Sequence, residues 1–251
     1  MILADALVKT FAGKTAVDRV SFQVRQGEVL GFLGPNGAGK STTMRMIAGC
    51  LEPDGGRAAV AGFDSAMQRR QAQSQLGYLP EGAPAYPAMT PRGFVRFSLR
   101  ARGFSGAGLE AAAELALARA SLGAAAERPI GTLSKGYKRR AALAAAIAHD
   151  PLVLILDEPT DGLDPNQKDG VRALITAMAP DKAIIISTHL LDEVEAICTR
   201  AILIAGGRVM ADETPGALAK LGPQGDLPSA FRALTAPSGE VISHRPGRRA
   251  T

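Results

Sequence analysis

The chain has 251 residues, 46% of them hydrophobic and 21% charged, which is enough apolar material for a sizeable core and too much for a disordered segment. Its formal charge of +5, from 29 basic and 24 acidic residues, is spread along the chain. That suits an anionic ligand or a lipid surface and lacks the clustered basic footprint of a nucleic-acid binder.

Taken in chain order, residues 2–8 and 20–24 alternate or cluster apolar side chains and predict strands, with Gly13 and Gly27 as turn punctuation. Residues 28–33 form an apolar run of strand length, and residues 42–49 have helical spacing. Short strands follow at 57–61 and 75–80, the latter ending on Pro80. Residues 92–102 and 109–122 are amphipathic or Ala-rich and predict helices broken at 103–108, a helical insertion over about 82–135. An Ala-rich helix is predicted from 136 to 149. The fully apolar run 152–156 has the character of a central parallel strand. A helix at 167–178, a buried strand at 182–187 and a helix at 190–198 come next. Residues 201–205 and 208–211 make a hairpin through Gly206-Gly207. Alternating buried strands and helices predict an α/β fold around a parallel sheet.

Beyond Gly222 the chain turns to Pro, Gly and Ser, so 223–251 is expected to be a short, flexible extension. Its Arg245, Arg248 and Arg249 form either a solvated end or a contact for anionic lipid. Cys50 and Cys198 are isolated, fit neither a zinc nor a redox spacing, and are expected to be buried thiols in a reducing compartment. The first residues lack the basic start and apolar core of a secretory signal, and no apolar run approaches the roughly 20 residues of a membrane span. The expectation is a cytosolic protein whose membrane role, if it has one, comes through a partner.

The chemistry concentrates in two places. Residues 34–42 read Gly34-Pro35-Asn36-Gly37-Ala38-Gly39-Lys40-Ser41-Thr42, a phosphate-binding loop between a predicted strand and a predicted helix. Its glycines let backbone N–H groups wrap a polyphosphate, and the helix N-terminus adds partial positive charge. Lys40 is placed to reach the β- and γ-phosphates and the Ser41 hydroxyl to ligate Mg²⁺. The second place is the strand ending in Asp157-Glu158. Asp157 there can hold Mg²⁺ beside the phosphates, and Glu158 can activate a water for in-line attack.

With Leu133-Ser134-Lys135-Gly136-Tyr137 ahead of Asp157–Asp164, and Ser187-Thr188-His189 after it, the chain resembles the ATP-binding subunit of an ATP-binding cassette (ABC) transporter over residues 1–222. The resemblance implies a phosphate-loop NTPase (RecA-like) core with an N-terminal antiparallel β-subdomain and a helical insertion. It implies ATP and Mg²⁺ as ligands, and a head-to-tail dimer with ATP sandwiched between two copies. It also implies an integral membrane permease that holds the chain on the inner face of the plasma membrane.

By the same resemblance, Phe11 matches an adenine-stacking aromatic, with an ordinary core Phe as the alternative. Glu81 stands where most members carry a Gln near Mg²⁺ and the attacking water, and as an acid it can itself ligate Mg²⁺ while adding negative charge near the γ-phosphate. Ser134 and Gly136 match the signature that grips the partner copy's γ-phosphate, although Lys135 replaces a Gly and Tyr137 a Gln. Asp164 matches the subunit-contact acid, with Asp161 where a Ser is more common, and His189 matches the switch histidine. Glu81 and the Ser-Lys-Gly-Tyr signature resemble the ABC-2 type exporter ATPases, the multidrug, gliding-motility and copper-processing branch. The alternative is a soluble cassette ATPase acting on ribosomes or nucleic acid.

Overall fold

The computed structural model describes residues 1–236. Strands β1 (Ile2–Phe11) and β2 (Lys14–Val24) pair antiparallel across the Gly13 turn. β3 (Val29–Leu33) then runs through the phosphate loop into helix α1 (Lys40–Ile47). β4 (Gly55–Val60) and β5 (Phe63–Asp64) complete a four-stranded antiparallel sheet of order β2-β1-β4-β5.

After α2 (Arg69–Ser74) and β6 (Leu76–Leu79) the chain forms α3 (Pro91–Ala101), α4 (Gly106–Arg119) and α5 (Lys135–Ile147). Thr90 starts α3 by accepting from Gly93 N at 3.0 Å, with Pro91 in the first turn, where its missing N–H costs nothing. Val95 and Leu99 of α3, Ala113 of α4 and Ala141 of α5 are all fully enclosed in one core. Arg96 of α3 and Glu110 of α4 are bridged at 2.8 Å on the outer side.

β7 (Val153–Asp157), α6 (Pro165–Met178), β8 (Ala183–Ser187), α7 (Leu191–Ile197), β9 (Arg200–Ala205) and β10 (Arg208–Glu213) follow. The second sheet has the order β10-β9-β3-β8-β7-β6, parallel except for β10 at one edge. Every residue of β3, β7 and β8 is buried, because helices cover one face of this sheet and the antiparallel sheet and α1 cover the other.

Two expectations are corrected. The chain beyond 222 is not flexible throughout: after α8 (Pro215–Ala219) it forms α9 (Leu227–Thr235). Asp226 caps α9 by accepting from Ser229 N at 2.7 Å, and Leu227, Phe231 and Leu234 pack on Leu33, Val194 and Leu203. The Asp-Leu-Pro-Ser run is therefore helix-start chemistry rather than a linker. Cys50 is exposed where a buried thiol was expected, because α1 ends at Ile47, three residues before it. Cys198 is largely enclosed, and burial pushes its thiol up to about 12. The tail arginines lie outside the described residues.

Candidate active site

Four neighbouring parallel strands end along one edge of the sheet, and the loops that leave them carry the chemistry. β3 leads into the phosphate loop, β8 into Thr188-His189, β7 ends at Asp157 with Glu158 next, and β6 leads through Pro80 to Glu81. Register sets their common depth: Ser187 pairs with both Phe32 and Asp157. The space outside the carboxyl ends of such strands is where α/β sheets bind ligands.

Within the loop two glycines are obligatory. Gly34 has φ +155° and Gly39 φ +103°, and an added Cβ would lie 2.3 Å from Ile204 O and 2.5 Å from Ala16 O respectively. α1 begins at Lys40 with no acidic side chain in its first turn, so its unpaired N–H groups keep their anion-binding character. Lys40 is only 8% exposed, and its Nζ donates to the carbonyls of Gly34 at 2.7 Å and Pro35 at 3.1 Å. Burial lowers the Lys40 pKa, and the carboxylates of Glu158, Asp157 and Glu81 oppose that shift. The lysine is thus pinned against the loop opposite three acids.

Asp157 is 2% exposed. Its Oδ1 accepts from Ser187 Oγ, while Oδ2 is buried with no hydrogen-bond partner among the described residues. A buried carboxylate oxygen left in that condition is costly unless a cation or donor meets it. Ser41 lines the same cleft. One hydroxyl and one carboxylate, completed by phosphate oxygens and water, is the sparse protein ligand set that Mg²⁺ takes. No cluster of three or more His, Cys, Asp or Glu suited to a metal occurs among the described residues, and Mg²⁺ of this kind needs none. The residues present fit Mg²⁺.

Glu158 has φ +50°, a left-handed conformation that costs a non-glycine residue of order 1 kcal/mol. Its N–H donates to Ser187 O at 3.0 Å, and its carbonyl accepts from Asp161 N at 3.2 Å and from the Arg139 guanidinium. Held so, its Oε1 sits 2.9 Å from His189 Nδ1.

A cleft of about 660 Å³ brings together Phe11, Asn36, Gly37, Gly39, Lys40, Ser41, Thr42, Glu81, Asp157 and Glu158. Gly34, Pro35 and Ala38 complete the loop behind it, with Gly34 and Ala38 buried, and His189 joins through Glu158. Phe11 is 46% exposed, so it is not a core residue. Its ring offers a face to a flat heterocycle at the cleft. Ser134, Gly136 and Asp164 lie outside the cleft. Ser134 is exposed and caps α5, accepting from Tyr137 N at 3.4 Å, and Asp164 caps α6 by accepting from Gln167 N at 2.9 Å. Gly136 is buried against α6, where a Cβ would meet Gln167 Oε1 at 2.3 Å.

Sequence reasoning missed one wall of the cleft, Lys14, Thr15 and Ala16 with Gly206 and Gly207. The signal for the first three was their position just across the turn from Phe11. It also missed Arg139, a buried cation one turn along α5 from Lys135.

Fold and cleft together define a phosphate-loop nucleotide hydrolase. A family model described as ABC transporter matches residues 17–161. The chain is 39% identical over 215 residues to Nod factor export ATP-binding protein I of Paraburkholderia xenovorans, a match covering 85% of this chain and 71% of that protein. It is 36% identical over 211 residues to ATP-binding cassette sub-family A member 7 of Mus musculus, covering 83% of this chain and 10% of that much longer protein.

Among solved structures, the ATP-binding subunit of an ABC transporter superposes with a TM-score of 0.85 at 28% identity, over 94% of this chain and all of that one (100%). The dimeric cassette MJ0796 in a post-hydrolysis state with ADP and Pi shares the fold, with a TM-score of 0.80 at 23% identity over 85% of this chain and 98% of that chain. The chain belongs to the ABC transporter family. It is an ATP-binding and ATP-hydrolysing cassette, with Mg²⁺ as the partner of the nucleotide.

Proposed function

We propose that the chain powers export through a separate membrane permease, and that it does so as a head-to-tail pair of copies with two MgATP between them. The observation that carries this reading is the division of the site. Lys40, Asp157 and Glu158 share one cleft, with His189 bonded to Glu158, while Ser134 stands exposed outside it at the start of α5. A helix start facing solvent, with its anion-binding N–H groups, suits a phosphate presented by another molecule. Export as the direction follows the printed function of the Nod factor relatives.

In this mechanism Phe11 stacks on the adenine, and the N–H groups of Gly37, Gly39 and the first turn of α1 hold the phosphates. Lys40 exchanges its bonds to the Gly34 and Pro35 carbonyls for phosphate oxygens. Ser41 and the unpartnered Oδ2 of Asp157 would hold Mg²⁺, which supplies charge neutralisation on the β- and γ-phosphate oxygens. Glu158 orients and deprotonates the attacking water, and His189 fixes the Glu158 carboxylate and contacts the γ-phosphate. Ser134 of the second copy closes the site, and hydrolysis lets it reopen.

The output passes through β6. Pro80 lines a separate groove of about 720 Å³ while Glu81, next to it, lines the nucleotide cleft. That groove includes Tyr78, Phe94 and the exposed aromatics Tyr86 (53%) and Phe97 (45%). An exposed aromatic-lined groove suits a short apolar segment of a partner. No helix among the described residues is long and apolar enough to cross a membrane. The reading therefore places the chain at the cytoplasmic face of the plasma membrane, held by the permease. The test is whether the chain co-purifies with a polytopic membrane protein. Phe97→Asp is expected to release that partner with ATP affinity unchanged, and a preparation carrying ribosomal RNA in place of the membrane protein would contradict the reading.

A further inference from the structure

Two side chains that depart from the family pattern meet in the fold. Lys135 replaces a signature Gly and Asp161 replaces the commoner Ser, and Lys135 Nζ lies 3.1 Å from Asp161 Oδ2. Arg139, on the same face of α5 one turn later, places Nη2 3.5 Å from that same oxygen. Its Nη1 donates to the carbonyl of Glu158 and, at 3.4 Å, to that of Asp157.

The exposed Lys135–Asp161 pair alone is worth little. Arg139 differs, being 3% exposed. A buried guanidinium is tolerated only when its donors are matched, and here the matching groups are the turn that carries the catalytic acid. Glu158 needs such support, since its left-handed backbone persists only where the surroundings over-determine it. The hydrogen bond from Lys135 also holds the Asp161 carboxyl below its usual range, keeping it anionic between the two cations.

We propose that Arg139 is a positioning residue for hydrolysis, locked in place by the Lys135–Asp161 pair. The three side chains tie the start of α5, which carries Ser134, to the turn that aims Glu158. Engagement of Ser134 on the partner copy's nucleotide and the aim of Glu158 at its own are thereby linked within one chain. The inference rests on the reading of Glu158 as the base and of Ser134 as acting in trans.

The test measures steady-state ATP hydrolysis and thermal unfolding for Arg139→Gln, Asp161→Lys and the conservative Asp161→Glu, with Glu158→Gln alongside. Arg139→Gln and Asp161→Lys are expected to lower kcat at least about tenfold with KM for ATP within about twofold, the signature of a lost transition-state arrangement. Asp161→Glu keeps an acid between Lys135 and Arg139 and is expected to hold kcat within about threefold of wild type. If Arg139→Gln fails to fold, the comparison of the two Asp161 variants carries the test by itself.

An Asp161→Glu variant no more active than Asp161→Lys, or losses confined to KM, would overturn the proposal. Wild-type turnover in Glu158→Gln would instead remove the reading of the base on which the proposal stands. An inactive Glu158→Gln beside an Asp161→Glu as weak as Asp161→Lys would sink the proposal alone.

Discussion

Replacing Gly39 with Ala tests whether the loop is shaped by backbone approach or merely by a favourable sequence. Gly39 sits at φ +103°, and its added Cβ would lie 2.5 Å from the carbonyl oxygen of Ala16, a backbone atom that has no rotamer by which to move away. The conformational part costs about 1–2 kcal/mol. Forcing the contact open adds about 1–3 kcal/mol, as overpacking does elsewhere. The sum is about 2–5 kcal/mol, divided between lost stability and lost affinity.

If the loop yields rather than the fold, each 1.4 kcal/mol is about tenfold in ATP affinity, so Gly39→Ala is expected to weaken binding at least thirtyfold or so. Gly62→Ala is the control. It has φ +89° in the turn between β4 and β5, with nothing within 4 Å of the added Cβ. It should cost about 1 kcal/mol, or about 2–4 °C in Tm, with ATP affinity unchanged. Calorimetric titration with MgATP and thermal unfolding read both quantities. Wild-type affinity and stability in Gly39→Ala, or equal affinity losses in the two variants, would show that the approach of the Ala16 carbonyl does not shape the loop.

Two further outcomes follow from the site and from a buried imidazole. Asp157→Asn keeps an acceptor for Ser187 Oγ and removes the charge from an unpartnered buried oxygen. Its metal-free Tm is expected to match or exceed wild type, while most of the roughly 2.7 kcal/mol that MgATP supplies at a hundred times its Kd is lost. A full MgATP shift in that variant would exclude Asp157 as a metal ligand. His149, whose Nε2 lies 3.1 Å from Leu76 O, has its pKa lowered to about 4 from 6.5 by burial and by the nearby Arg102 cation. The unfolded chain takes up this proton first, so stability is complete above about pH 6.5 and falls as pH drops toward 4. Between pH 7.5 and 5.5 the loss from this group is about 1.4 kcal/mol, or a few degrees in Tm. His149→Gln is expected to lose that much less over the same interval, and an identical loss in both proteins would contradict the assignment.

The residues legible in the sequence were those whose chemistry is written locally. The phosphate loop fixes its own turn and helix start, and a fully apolar strand ending in Asp157-Glu158 can only be a central strand with its acids at the rim. What escaped was what distant pairing creates. Gly207 joins the cleft because its N–H reaches Ala38 O at 3.1 Å and its carbonyl accepts from Asp18 N at 2.9 Å. In sequence it was only half of a hairpin turn. Arg139 looks like any helix cation until Asp161 is folded against it. The helix α9 was hidden because Pro and Ser in its first turn are also linker residues. The exposure of Cys50 turned on where α1 stops, and element ends are the least determined feature of a local pattern.

If the cleft is half of a site completed by Ser134 of a second copy, sedimentation of Glu158→Gln with MgATP will show it. A dimer holding one nucleotide per chain is expected, reduced to a nucleotide-bound monomer when Ser134→Arg is added. A Glu158→Gln chain that binds MgATP yet stays monomeric at every concentration, or a dimer indifferent to Ser134→Arg, would contradict it.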